Sequence, residues 1–346
     1  MPRYRQDILR ALSMPASARH QFRYKLKHVA VGLHDRIRDN KLVNTDACIA
    51  FVDTSKQGTP PEIAPIRAAK VAHSEVQGDF CVFEFTLAGF AYAKDLAAFN
   101  RQIRTQNGNL PHWDGIAVAG HFCDEITTDG LPLELDAKVD DWQQICKTLS
   151  GYPAYQTERM FYRLEGVYPT GSKNAVSCVD AVFQLRSGGL YEVRLLHYSP
   201  SRLTFKASPT NQDFDWLVTD ADDKAVTFIG TKALAVDSDY DRKTARFRAA
   251  TTTVELDARL TFSRRPIGAT KAEEATWDFD LRARVEPDRW KQFWFGMLIG
   301  LPVAIQGLVL AISNEKIAHQ NVVAVVVVIA GFATGILASF FGPRKS

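Results

Sequence analysis

Hydrophobic and polar positions alternate with different periods in three successive stretches of the chain. The first is mixed. HQFRYKLKHVAVG, from His20, sets Phe22, Tyr24 and Leu26 on one face and Arg23, Lys25 and Lys27 on the other. That period of two predicts a strand with one buried and one basic face. Further strands are predicted at 47–53, 66–73, 80–87 and 115–119; in the run at 80–87, Cys81, Phe83, Phe85 and Leu87 share a face. AKDLAAFNRQIR places Leu96, Phe99 and Ile103 on one helical stripe. DDWQQICKTLSG carries Asp140 near its start and Gly151 just past its end, as helix capping favours.

From about 156 to 287 the pattern is almost wholly β. TERMFYRL, VDAVFQL, LYEVRLLHY, RLTFKA, KAVTFIG, ARFRAATTTVELDARLTFSR and TWDFDLRARV alternate or are rich in β-branched residues. RSGG at 186–189 reads as a hairpin connection. Strands at this spacing predict a sandwich or barrel. The last one runs through Val285, Glu286 and Pro287 into Trp290 without a flexible linker. The expected fold is therefore a β-rich α+β body with a C-terminal transmembrane hairpin. Its divisions are a mixed α+β domain at 1–150, a β-sandwich or barrel at 151–289, and the hairpin at 290–346.

In the third stretch the periodicity disappears. Residues 293–312 and 322–341 are two runs of 20 without a formal charge, separated by SNEKIAHQN. At 1.5 Å per residue, 20 helical residues cover about 30 Å, the thickness of a bilayer's hydrocarbon core. Neither run keeps the polar face of a globular helix. Arg282, Arg284, Arg289 and Lys291 precede the first run, and Arg344 and Lys345 follow the second. The positive-inside rule then puts both termini in the cytoplasm, with the chain in the inner membrane. Gly296 and Gly300, and Gly331 and Gly335, form two G-x-x-x-G pairs that favour close helix packing. Pro302 should kink the first span, and Gln306 needs a partner. An interhelical hydrogen bond and a pore-lining ring both satisfy Gln306.

Charge adds one feature. The formal net charge is +3, but residues 1–44 hold ten Lys/Arg and three Asp/Glu, so the basic surplus is N-terminal. The five cysteines are dispersed without a Cys-x-x-Cys pair, which fits reduced cytosolic thiols. The opening residues lack the long apolar run of a secretory leader.

Known chemical signatures are missing. No His-Glu-x-x-His, Gly-x-Ser-x-Gly or Gly-x-Gly-x-x-Gly occurs. GVYPTGSK at 166–173 lacks the phosphate loop's Lys-Ser/Thr order and is followed by a strand pattern, so it reads as a turn. DSDYDRK at 237–243 lacks the glycine and twelfth-position glutamate of a calcium loop and reads as a solvated acidic turn. His121-x-Cys123 and His73-x-Glu75 lack the second pair of ligands for zinc. No catalytic residue, metal or cofactor is expected, and the chain reads as a non-enzyme.

The remaining candidates for ligand binding are Arg19, Arg23, Lys25, Lys27, Arg36 and Arg38, with Lys41 beyond them. Cations interleaved with Phe22 and Tyr24 suit a nucleotide or nucleic acid; against this, strict alternation turns the aromatics away from the lysines, and the competing reading is a solvated strand face or one lying on anionic lipid. A cytoplasmic body joined stiffly to a two-span tail resembles the membrane effectors of prokaryotic anti-phage defence, the Hailong type above all. The resemblance lies in the tail at 293–341 and the β-rich body. It implies an ion channel causing abortive infection, controlled by a nucleotide or single-stranded DNA oligomer from a partner nucleotidyltransferase. Two helices per chain cannot enclose an aqueous path, so a channel requires a homo-oligomer. The competing expectation is an anchored binding or scaffold protein.

Overall fold

A computed structural model describes residues 3–56, 59–107, 123, 125–137, 139–158, 160–179, 181–200, 215–221, 224–265, 279–288, 294 and 305. The described chain is β-rich, with four α-helices among the strands. It opens with helix α1 (Arg3–Ser13), which buries Ile8, Leu9, Ala11 and Leu12 along one side. Met14 still bonds to Arg10, and Pro15 then ends the helix.

Strands β1 (Arg19–Lys25), β2 (Asp46–Asp53), β3 (Glu62–Gln77), β4 (Phe80–Tyr92) and β5 (Glu134–Ala137) form one antiparallel sheet in the order β1-β4-β3-β2, with β5 beside the far half of β4. The expected alternation in β1 is present: His20 and Phe22 are buried, while Arg19, Gln21, Arg23 and Lys25 are exposed. The strand ends at Lys25. Leu26 and Lys27 turn into a short 3-10 helix, because the backbone of Leu26 is tied to Asp79 at the β3–β4 hairpin. Phe22, Phe51, Phe83 and Phe85 face a core shared with α1, α2 (Val31–Arg38) and α4 (Val139–Ser150). On the opposite face, α3 (Leu96–Asn107) inserts Phe99 and Ile103 against Val52 and Ile63.

The later strands make two open sheets packed face to face. One has four strands, β11 (Val226–Ile229), β13 (Tyr240–Ala249), β9 (Leu190–Tyr198) and β6 (Phe161–Pro169), in that order. The other has six: β12 (Ala233–Val236), β10 (Asp215–Ala221), β14 (Leu256–Arg265), β15 (Phe279–Glu286), β8 (Val182–Arg186) and β7 (Cys178–Val179). Tyr162 of β6 stacks on Phe279 of β15 at 6.0 Å, which in turn stacks on Phe262 of β14 at 5.2 Å. The run at 245–264 is two strands joined by a turn at 250–255.

RSGG is not a hairpin. Residues 186–189 carry the chain from β8 in the six-stranded sheet to β9 in the four-stranded one. Gly188 has φ +70° and Gly189 lies where a Cβ would come within 2.8 Å of the Tyr191 ring. Glycine is required at both, the first for its backbone and the second for space. The residues of GVYPTGSK close β6 and turn, with Ser172 N–H donating to Pro169 O.

Among the described residues no helix is long and apolar enough to cross a membrane. Apart from the single positions Trp294 and Ile305, the predicted spans, with Pro302, Gln306, Gly296, Gly300, Gly331 and Gly335, lie outside the described residues, as do the strands expected at 115–119 and 202–207.

Candidate functional site

The six cations singled out by the sequence do not form one patch. Arg19, Arg23 and Lys25 point away from the face of β1 that carries Phe22. Arg36 and Arg38 sit on α2, whose Leu33 and Ile37 pack into the core on the Phe22 side. The sheet therefore separates the two groups. Most are already engaged: Arg19 lies 3.7 Å from Glu84, Arg36 2.7 Å from Glu125 and Arg38 3.2 Å from Asp35. The Arg23 guanidinium covers the Phe80 ring at 3.9 Å. Lys41 pairs with Asp39, and Lys25 and Lys27 are exposed. Exposed pairs of this kind contribute at most about 1 kcal/mol each. An anionic ligand could compete with them, but only in two separate places.

Two other arginines are buried where the first sheet meets β6. Arg67 of β3 is 2% exposed. Its Nε donates to Ala88 O at 2.7 Å, and one terminal nitrogen reaches Met14 O at 3.0 Å and Ala11 O at 3.3 Å. It thus caps the C-terminal carbonyls of α1, where a cation is favoured by the helix dipole. Trp142 of α4 donates to the neighbouring Leu12 O at 3.3 Å. Phe90 lies between Arg67 at 4.2 Å and Arg163 of β6 at 5.1 Å. Burial, with the Arg163 charge adding to it, pulls Arg67 down to about 9. Burial also lowers Arg163, against the pull of Glu165. Arg5 of α1 reaches Glu158, just before β6. These contacts hold the N-terminal helix, the first sheet and the four-stranded sheet to one another.

A third group of arginines lies on the outer face of the four-stranded sheet. Arg242, Thr244, Arg246 and Arg248 of β13 are exposed, while Ala245, Phe247, Val193 and Leu195 are buried between the sheets; on β9 the even-numbered Glu192 and Leu196 are buried as well. Arg242, Arg246 and Arg248 form a row along β13, and Arg194 of β9 stands opposite Thr244. Glu165 holds Arg242 at 2.5 and 3.0 Å through Nε and one terminal nitrogen. Glu192 lies 3.3 Å from Arg246 Nε and 3.4 Å from Arg194, whose guanidinium covers Tyr168 at 4.0 Å. The available signal was the same alternation that predicted the strand, in ARFRAA: its inward residues mark the strand and its outward ones are arginines.

At one end of the sandwich the loops bond to each other. Ser187 N–H donates to Glu286 O at 2.9 Å, Gly188 N–H to Ala250 O at 3.0 Å, and Ala250 N–H to Ala225 O at 2.9 Å. Thr252 N–H donates to the Ser187 hydroxyl at 2.8 Å. The last residue of β15 is therefore tied to the crossover between the two sheets immediately before Pro287.

Little here suits covalent chemistry. Burial pushes the Cys146 thiol well above its ordinary range and leaves it unreactive. His197, fully buried, has its pKa lowered by burial, and its Nε2 contacts Ser238 O at 2.9 Å. Among the described residues no three metal-ligating side chains converge. No protein-family model and no curated protein matches the chain. Among solved structures, the N-terminal domain of PorA is similar at a TM-score of 0.20 and 9% identity, over 35% of this chain and 96% of that one, a likeness too small to carry an argument.

Proposed function

We propose that the chain is a cytoplasm-facing membrane effector of the anti-phage defence type. Its β-rich body responds to a nucleotide or DNA oligomer made by a partner nucleotidyltransferase. Its tail spans the inner membrane twice, assembles with copies of itself, and forms the ion-conducting element. The observation that carries this reading is the pair of uncharged 20-residue runs at 293–312 and 322–341. The bonded loops around Glu286 support it, since a movement of the sandwich would reach the tail with little slack.

Expression in a bacterial host should collapse the membrane potential, read with a potential-sensitive dye. Gln306→Leu and Gly331→Leu should each abolish the collapse while the protein stays in the membrane fraction. Depolarisation unchanged in both variants would remove the tail from the mechanism. Replacing residues 290–346 with an unrelated membrane hairpin should also abolish it; retained function would identify an anchored binding or scaffold protein instead.

A further inference from the structure

We propose that the outer face of the four-stranded sheet binds the phosphodiester backbone of a short single-stranded oligonucleotide laid along β13. The site rests on the reading of the body as the ligand-responsive part, and it lies apart from the cations of β1 and α2.

Spacing is the first argument. Residues two apart on a strand lie about 7 Å apart on one face. Arg246 and Arg248 therefore repeat at a distance comparable to that between successive phosphates of an extended single strand. From Arg242 to Arg248 the row is about 20 Å long, enough for three or four nucleotides. Thr244 interrupts it with an exposed hydroxyl, and Thr227 of β11 stands opposite Arg248 with another.

The second argument is how the guanidinium groups are held. Glu165 takes the Nε edge of Arg242, and Glu192 lies at Nε of Arg246, yet those arginine side chains remain 55% and 64% exposed. Each carboxylate sits at the Nε edge of its arginine, whose side chain stays more than half exposed. Guanidinium forks held this way match phosphate geometry with less side-chain entropy to lose. Arg248 is exposed and adds a third charge to the row. Leu190, opposite Arg248, and Ile229, opposite Arg246, are 42% and 47% exposed and offer apolar contact to bases.

A lipid surface fits less well. The row runs along the strand toward Ala249, at the sandwich end where Glu286 leads into the tail. A membrane plane at that end would meet Arg248 and leave Arg242 about 20 Å away along the strand.

The test uses the full chain in an uncharged detergent and a fluorescein-labelled thymidine tetradeoxynucleotide, with binding read by anisotropy at low salt. The wild type should bind. Arg246→Glu/Arg248→Glu should weaken binding by about tenfold or more and reduce the salt slope by about 1.4, the share of two lost phosphate contacts on a single strand. Arg246→Lys/Arg248→Lys should retain most of the affinity, and Arg23→Glu/Lys25→Glu on β1 should stay within about twofold of wild type. Should the double glutamate variant misfold, Arg248→Gln alone should still lose about threefold. Absence of tetranucleotide binding, or equal loss from the β1 variant, would overturn the site. So would association that follows phosphatidylglycerol content in nanodiscs while the tetranucleotide stays unbound. Lost binding with depolarisation intact fails this site alone; lost depolarisation with binding intact fails the tail reading alone.

Discussion

Arginine plays opposite parts in two regions of this molecule. At the seam between the first sheet and β6, Arg67 is enclosed by carbonyl oxygens and an aromatic ring, and most of its donors are spent on the protein itself. On β13, Arg242 and Arg246 are held by one edge and present the other to solvent. The side chain is the same. What differs is whether its partners are backbone carbonyls that enclose it or carboxylates that take one edge of it. In the first region, removing the cation leaves buried backbone acceptors without donors; on β13 the contrast is sharpest at Arg248, which is exposed, since Glu165 and Glu192 beside Arg242 and Arg246 are themselves largely buried.

The largest effect that could break this contrast is at Arg67. Arg67→Met should lower stability to chemical denaturation by about 3 kcal/mol, since three carbonyls lose a buried donor. A loss below about 1 kcal/mol would mean that α1 is capped by other means. The next test concerns His197 of β9, which is fully buried. Its folded pKa lies below the unfolded value of about 6.5, so the unfolded chain takes up the proton first. Stability should be full above that range and fall as pH drops through it, and His197→Gln should flatten the profile. A thermal midpoint that does not move between pH 8 and pH 5.5 would refute this. The smallest effect is expected at Arg248, where Arg248→Ala should change stability by less than about 0.5 kcal/mol. A larger loss would show that the β13 row is part of the fold and not a surface kept available.

Local pattern made much of this architecture legible. β9 occupies Leu190–Tyr198, the run LYEVRLLHY, and α4 begins and ends where Asp140 and Gly151 suggest. α2 was not visible, because eight residues with Gly32 near the start give too few turns for a helical period to stand out. α1 is hidden for another reason: the packing that defines it, against β6, is remote in sequence. RSGG shows a general limit. Glycine chemistry announces a sharp turn, but whether the next strand pairs with the last one or crosses to a facing sheet depends on where the hydrogen-bonding partners lie.

The candidate site was less legible than the fold. Seven cations within 23 residues looked like one patch because they are close in the chain. A sheet one residue thick separates them, since alternation in β1 sends its cations to one side while α2 packs on the other. The arginines of β13 escaped notice because the same residues that identify a strand also use up its inward positions.

The bond between Ser187 and Glu286 has a further consequence. That amide can exchange its hydrogen with solvent only when the end of β15 parts from the corner between the two sheets. Its exchange rate therefore measures how often the end of β15 separates from that corner. A single isotopic label at Ser187 would report that opening at one backbone position.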